Sequence, residues 1–202
     1  MGCKISYVKR YQGEKGMSYI DDIKRYQPYN EQEEVDKRLI LDFIKHNPDH
    51  LERENLTAHL TSSAIVVNPE RTKVLFAYHN IFDSWSWLGG HNDGDPDLLK
   101  VAIKEVKEET GIGIVQPVLK EIFMIDAIYV MNHIKRGQYV PDHLHLNVAF
   151  LLEASEDQAL VIKPDENQGV SWFRLEDVFD KITEPRMIPV YKKAFDKIKN
   201  LA

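Results

Sequence analysis

Three carboxylates beside a glycine loop are the part of this sequence best equipped for chemistry. In "GGHNDGDPDLLKVAIKEVKEETGI" (89–112), Glu105, Glu108 and Glu109 crowd the last turns before Gly111. The spacing predicts a helix over 96–110, with Asp95 as its cap and Pro96 at the first position, where a missing N–H costs nothing. Leu99, Ala102, Ile103 and Val106 recur at i, i+3, i+4 and i+7, a stripe for the core. Lys100, Lys104 and Lys107 fall on one flank, and the three acids share an arc of about 100° on the other. A helix C-terminus already carries partial negative charge, so each carboxylate there loses roughly 0.3–1 kcal/mol. Like charges at i, i+4, such as Glu105 and Glu109, repel further. A face selected only for stability would place lysines there. The pattern asks for a cation, and a hard divalent ion such as Mg²⁺ or Mn²⁺ prefers carboxylate oxygen.

The rest of the chain must position that helix. At 202 residues it is long enough for one well-packed domain with an added arm. "NEQEEVDKRLILDFIKHN" (30–47) reads as an amphipathic helix: Asn30 caps it, Glu33 completes a capping-box-like pair, and Val35, Leu39, Ile40, Phe43 and Ile44 share a face. A shorter helix around 18–26 precedes it and ends before Pro28. From residue 62 the texture becomes β-branched and aromatic. "SSAIVVN" and "TKVLFAYHN" flank the turn-forming "NPER", a hairpin signal, and further strands are expected at 121–132, 144–154 and 169–175. Helices are expected at 176–182 and 187–200. Strands interspersed with helices predict an α/β fold, a mixed sheet covered on both faces.

Composition narrows the functional classes. The net charge of −6 and a pI near 5.8 argue against a nucleic-acid groove. The longest apolar run, "VAFLL" (148–152), is far too short to span a bilayer, so no membrane partner is expected. The single cysteine, Cys3, forms neither an internal disulfide nor a thiolate metal cage, which fits a cytoplasmic setting. "MGCKIS" matches the acylation pattern at Gly2, a short motif prone to chance matches, and Met17 offers an alternative start.

Residues 90–112 resemble the Nudix hydrolase signature G-x5-E-x7-R-E-U-x-E-E-x-G-U, in which U is a bulky aliphatic. The spacing from Gly90 through "KEVKEETGI" to Ile112 is kept without insertion. Upstream, Trp85 stands four residues before Gly89, with Leu88 where the family often has Pro. The resemblance spans roughly 58–182 and implies a Nudix-type α/β/α sandwich over 58–202, with 1–57 as an N-terminal helical arm. It also implies metal-dependent hydrolysis of a nucleoside diphosphate linked to another moiety X, water attacking phosphorus to give a nucleoside monophosphate and phospho-X. Carried over by position, Glu105, Glu108, Glu109 and the Gly90 carbonyl become metal ligands. Glu166, six residues before Trp172, becomes a further ligand or the general base in competition with Glu109.

Two departures stand out. Pro96 replaces the first box Glu and Lys104 the box Arg, so the fork that orients the catalytic carboxylates is lost. Asp95 or Asp97 could stand in for the missing acid. The histidines of "HLH", His143 and His145, point to one side of a strand, and with His91 they could contact phosphate or hold an additional metal. Ordinary polar residues at a sheet end are the simpler reading. Trp85, Trp87, Phe82 and Tyr139 could stack a base. A homodimer is compatible with the apolar arm. An isopentenyl diphosphate isomerase would want a domain cysteine, which is missing. The main alternative is a non-catalytic nucleotide-sensing module, although such modules usually lose the box acids kept here.

Overall fold

The computed structural model describes residues 18–135 and 137–201; Gly2, Cys3 and Met17 lie outside them. Two helices come first, α1 (Tyr19–Arg25) and α2 (Glu31–His46). Strands β1 (Ala58–Val67), β2 (Lys73–His79), β3 (Ser84–Ser86) and β4 (Leu88–His91) then lead into α3 (Leu98–Thr110). The short β5 (Gln116–Pro117), β6 (Met124–Val130), the β7–β8 hairpin (His133–Lys135, Gln138–Val140), β9 (His143–Glu153) and β10 (Asn167–Arg174) follow. Two 3₁₀ turns, Val178–Lys181 and Pro185–Met187, precede the closing helix α4 (Ile188–Lys199).

Eight strands form one mixed sheet in the order β10-β2-β1-β9-β5, with β3 on β2, β4 on β1 and β6 on β9. Among the described residues only the central β1–β9 pair is parallel, in register from Ala58–Leu144 to Val67–Glu153. Because side chains alternate along a strand, β1 serves both faces. Leu60, Ala64 and Val66 pack with α1, α2 and α3, whereas Ile65 and Val67 pack with α4 through Tyr191, Phe195 and Ile198. This is the α/β/α sandwich expected.

The arm packs on the body: Ile23, Tyr26, Ile40 and Ile44 join the same core as α3. The α2 stripe is narrower than its spacing suggests. Val35 and Leu39 are exposed, at 45% and 40%. Asn30 caps α2 by accepting the Glu33 N–H at 3.0 Å. Glu33 does not return the bond to Asn30; its carboxylate accepts the Tyr29 N–H at 2.8 Å and is fully buried.

Helix α3 starts later than its sequence suggests. Asp97, not Asp95, is the cap, accepting the Lys100 N–H at 3.1 Å. Asp95 is occupied by the Asp97 N–H at 3.0 Å and by Lys100 Nζ at 2.9 Å, which leaves Pro96 outside the helix. The buried stripe is also rotated: Leu98, Val101, Ala102, Val106 and Glu109 face inward, while Leu99 and Ile103 are half-buried. Gly111 ends the helix at φ 73°, the left-handed conformation that favours glycine.

Candidate metal centre and substrate pocket

The rotation of α3 sets the acids at three depths. Glu109 lies inside at 2% exposure, Glu105 is half-buried, and Glu108 faces solvent. β4 lies against this face. The Gly89 N–H donates to Glu109 Oε2 at 3.1 Å, and a Cβ on Gly90 would stand 2.7 Å from the Glu105 carboxylate. A side chain at 90 would therefore have to push the Glu105 carboxylate out of its place. Gly89, at φ 158°, is pressed so close to Ser63 that a side chain there would meet the Ser63 backbone at 2.6 Å.

Charges are less segregated than the helical wheel implies. Lys104 Nζ lies 3.1 Å from Glu105 Oε1 and 3.6 Å from Glu108 Oε1. Lys104 thus engages the site carboxylates Glu105 and Glu108 directly. On the other side Lys163 Nζ lies 3.0 Å from Glu166 Oε2 and 3.6 Å from Glu108 Oε2. Hydrogen bonding to Glu105 holds the Lys104 ammonium above its usual range. Burial pulls Lys163 down, but Glu166 and Glu108 outweigh it and its pKa is raised.

Among the described residues Glu109 has no lysine or arginine within salt-bridge distance, although Lys163 is near enough to pull its carboxyl down. The closest cationic candidate is His79, whose Nε2 is 3.8 Å from Glu109 Oε1, and burial pushes that imidazole below its usual range, toward the neutral form. Burial, with Glu105 and Glu166 nearby, raises the Glu109 carboxyl well above the carboxylate range despite the Gly89 N–H. Burial also raises Glu105, against the pull of Lys104. A buried acid kept company by two others is the electrostatic situation a divalent cation resolves. The donor set suits Mg²⁺ or Mn²⁺: carboxylates at three depths beside the closely packed backbone of Gly90.

The Glu166 loop is built to face the site. The Asn80 N–H donates to the Glu166 carbonyl at 3.0 Å, and Asn167 Nδ2 donates to the Glu109 carbonyl at 2.9 Å, fastening the loop to the end of α3. Lys163 and Asn167 carry no motif signal in the sequence, although both stand within three residues of Glu166 in the same polar loop.

A pocket of about 620 Å³, counting its open mouth, adjoins Gly89 and Gly90. Its floor is polar, with Thr61, Ser63, Asn147 and His145, and Phe82 and Trp87 lie in its walls. Ser63 Oγ and Asn147 Nδ2 are buried with no hydrogen-bond partner among the described residues, so the floor has polar capacity left for a ligand. Trp85 does not line it; its ring packs edge-on against Tyr78 and Phe173 at 5.6 and 4.8 Å. Tyr139, 66% exposed on the β7–β8 hairpin, is also not among the lining residues. His91, His143 and His145 are brought together, joined by His59 from β1.

Known proteins agree with this architecture. The family model described as NUDIX domain matches residues 57–194. A NUDIX-family hydrolase from Clostridium perfringens superposes with a TM-score of 0.51 at 18% identity, covering 71% of this chain and 98% of its own. An Ap4A hydrolase from C. elegans, solved as a binary complex, gives 0.51 at 15% identity, covering 69% and 98%. A Nudix hydrolase from M. smegmatis gives 0.51 at 12%, covering 71% and 88%. At these identities the likeness is one of fold. No curated protein matches the sequence. With the family model spanning most of the chain, from β1 into α4, the chain belongs to the NUDIX family, a family of phosphoric anhydride hydrolases.

Proposed function

We propose that this chain hydrolyses a nucleoside diphosphate linked to a second moiety, using Mg²⁺ or Mn²⁺ held by Glu105, Glu108, Glu109, Glu166 and the Gly90 carbonyl. One observation carries the reading: Glu109 is buried beside two further carboxylates with no lysine or arginine among the described residues in salt-bridge contact with it, while the backbone at Gly89 and Gly90 closes on the same acids. A bound divalent ion would neutralise the pyrophosphate and lower the pKa of the attacking water.

The chain's own residues do the rest. The Gly89 N–H fixes one oxygen of Glu109, leaving Oε1 turned toward His79. Lys104 and Lys163 hold Glu105, Glu108 and Glu166 apart from one another, the orienting work that the lost Arg–Glu pair would have done. The water's proton passes to Glu109 or Glu166. Phe82 and Trp87 give the pocket flat apolar walls for a base, and Thr61, Ser63 and Asn147 offer hydrogen bonds to it or to a sugar.

We read 58–202 as the catalytic domain and 1–57 as a supporting arm, because Tyr26 and Ile40 complete the core beneath α3. The setting we assign is cytoplasmic, without nucleic acid or membrane as partner; among the described residues no helix is long and apolar enough to cross a membrane. Val35 and Leu39, exposed on α2, are the surface we assign to a homodimer.

The test is phosphate release from a panel of nucleotide conjugates with Mg²⁺ or Mn²⁺, comparing wild type with Glu109→Gln and Glu166→Gln. Turnover by wild type that falls roughly 10²–10⁴-fold in a Gln variant supports the reading and identifies the base. No turnover on any conjugate, with tight nucleotide binding, would make the chain a sensing module instead.

A further inference from the structure

β1, β9 and the end of β4 bring four imidazoles together at the central seam of the sheet. His59 and His145 are register partners in the parallel β1–β9 pair, His143 is two residues before His145, and His91 pairs with the strand position two beyond His59. Ring centroids of His59 lie 5.1 Å from His143, 5.0 Å from His145 and 4.9 Å from His91. One ligand nitrogen from each of His59, His143 and His145 falls within a 4.8 Å set.

The tautomers are set by the backbone. His59 Nδ1 faces the Asn55 carbonyl at 3.0 Å and His143 Nδ1 the Pro141 carbonyl at 2.8 Å, so each Nδ1–H donates outward and each Nε2 lone pair is turned inward. A carbonyl behind a histidine in this way is how ligating imidazoles are usually oriented. His59 Nε2 is buried and has no hydrogen-bond partner among the described residues. His143 Nε2 and His145 Nε2 stand 3.2 Å apart. Two nitrogens on a tetrahedral ion at 2.0–2.1 Å are separated by about 3.3 Å, so this pair already has the spacing of adjacent ligands. Burial lowers the pKa of both His59 and His145, the direction that favours a metal-binding imidazole.

We propose that His59, His143 and His145 form a second metal site, specific for a borderline ion of the Zn²⁺ class and distinct from the carboxylate centre on α3. Imidazole nitrogen suits Zn²⁺, Co²⁺ or Ni²⁺, whereas carboxylate and carbonyl oxygen suit Mg²⁺ or Mn²⁺, so the two sites sort ions by chemistry. Three imidazoles leave a tetrahedral ion one position for a water or for His91. Since His145 also lines the pocket, a cation there adds positive charge to the pocket wall.

The experiment uses the full chain, free of any affinity tag, dialysed against a chelator and titrated with Co²⁺ and then Zn²⁺. One equivalent should bind with the visible ligand-field bands of tetrahedral Co²⁺. X-ray absorption at the zinc edge should count three imidazole nitrogens at roughly 2.0–2.1 Å. His59→Gln and His143→Gln should each weaken binding by more than the roughly 10–100-fold that loss of a supporting partner produces. The double variant Glu105→Gln/Glu109→Gln and the variant Cys3→Ser should bind as wild type does. Wild-type protein that takes up no stoichiometric Co²⁺ or Zn²⁺, or whose zinc shows no imidazole shell, overturns the proposal whatever the variants do. Binding that survives both histidine variants, or disappears with the two glutamates, overturns it as well.

Discussion

Two groups of charges are buried in this molecule, and they are built on opposite principles. At one end Glu109 sits among acids, its nearest cationic partner a histidine driven toward neutrality. Across the sandwich, Lys193 of α4 is 6% exposed and fully answered. Its Nζ meets Asp126 Oδ1 at 2.6 Å, Gln32 Oε1 at 2.8 Å and Glu33 Oε1 at 3.1 Å. Lys197 adds the Tyr26 hydroxyl at 2.7 Å and the Phe123 carbonyl, and Tyr26 in turn donates to Glu33. Here two cations face two acids, and the cluster ties α1, α2, β6 and α4 together. At comparable depth, we read the balanced cluster as a strut and the imbalance at Glu109 as the mark of the proposed ion site. A buried charge stripped of its partner is costly, so a fold keeps one only where something else supplies the counter-charge.

That contrast can be broken at either end. The largest effect should be at Glu109: Glu109→Gln should lose roughly 10²–10⁴ in kcat and yet melt higher than wild type in metal-free buffer, by about 0.5–2 kcal/mol. A lower melting point would mean that Glu109 is a structural acid after all. Next, Lys193→Ala should destabilise by about 3–5 kcal/mol in chemical denaturation, since it strands two buried carboxylates. A cost under 1 kcal/mol would erase the distinction between the clusters.

The pH dependence sharpens the comparison. Burial raises Asp126 to about 6 in spite of Lys193, above the unfolded value near 3.9. Between these values the folded state holds the extra proton, so this residue's contribution to stability is present below about pH 4 and is lost as pH rises through about 6. Glu33 has the opposite sign: burial raises it, but Tyr26, the Tyr29 N–H and the lysines win and its pKa is lowered. Its contribution is present above the unfolded glutamate value near 4.3 and is lost as pH falls below that. Asp126→Asn should flatten the slope of unfolding free energy between about pH 4 and 6 and leave the acid limb unchanged. The smallest effect should be Tyr26→Phe, about 1–3 kcal/mol by denaturation, because Glu33 keeps its other donors.

Much of the site was legible because its signals are local. Acids at the end of a helix, a stop glycine and the Gly–Gly turn lie within two dozen residues, and their spacing survives folding. What escaped depends on contacts the chain makes at long range. The α3 stripe was misplaced because a periodicity search does not count a glutamate as core, whereas Glu109 stands seven residues after Ala102 on the inward face. Asp95 and Asp97 are equal as caps by residue type; only the bonds Asp95 makes to the Asp97 N–H and to Lys100 separate them. "HLH" drew notice, but His59, 84 positions earlier than His143, carries no sequence mark. The Lys193 network was invisible for the same reason, its members coming from four elements.

The parallel pairing of β1 with β9 has a consequence for biogenesis. The Thr61 hydroxyl reaches Asn147 across 86 residues, and the pocket floor and the imidazole group both straddle that seam. Closing so long a loop is slow compared with forming helices and hairpins. A chain emerging from the ribosome can shape the arm, the β1–β2 hairpin and the acidic helix well before it owns a place for substrate. Ligand competence therefore arrives in a single late event, and a fragment ending before β9 inherits the acids without the cavity they serve.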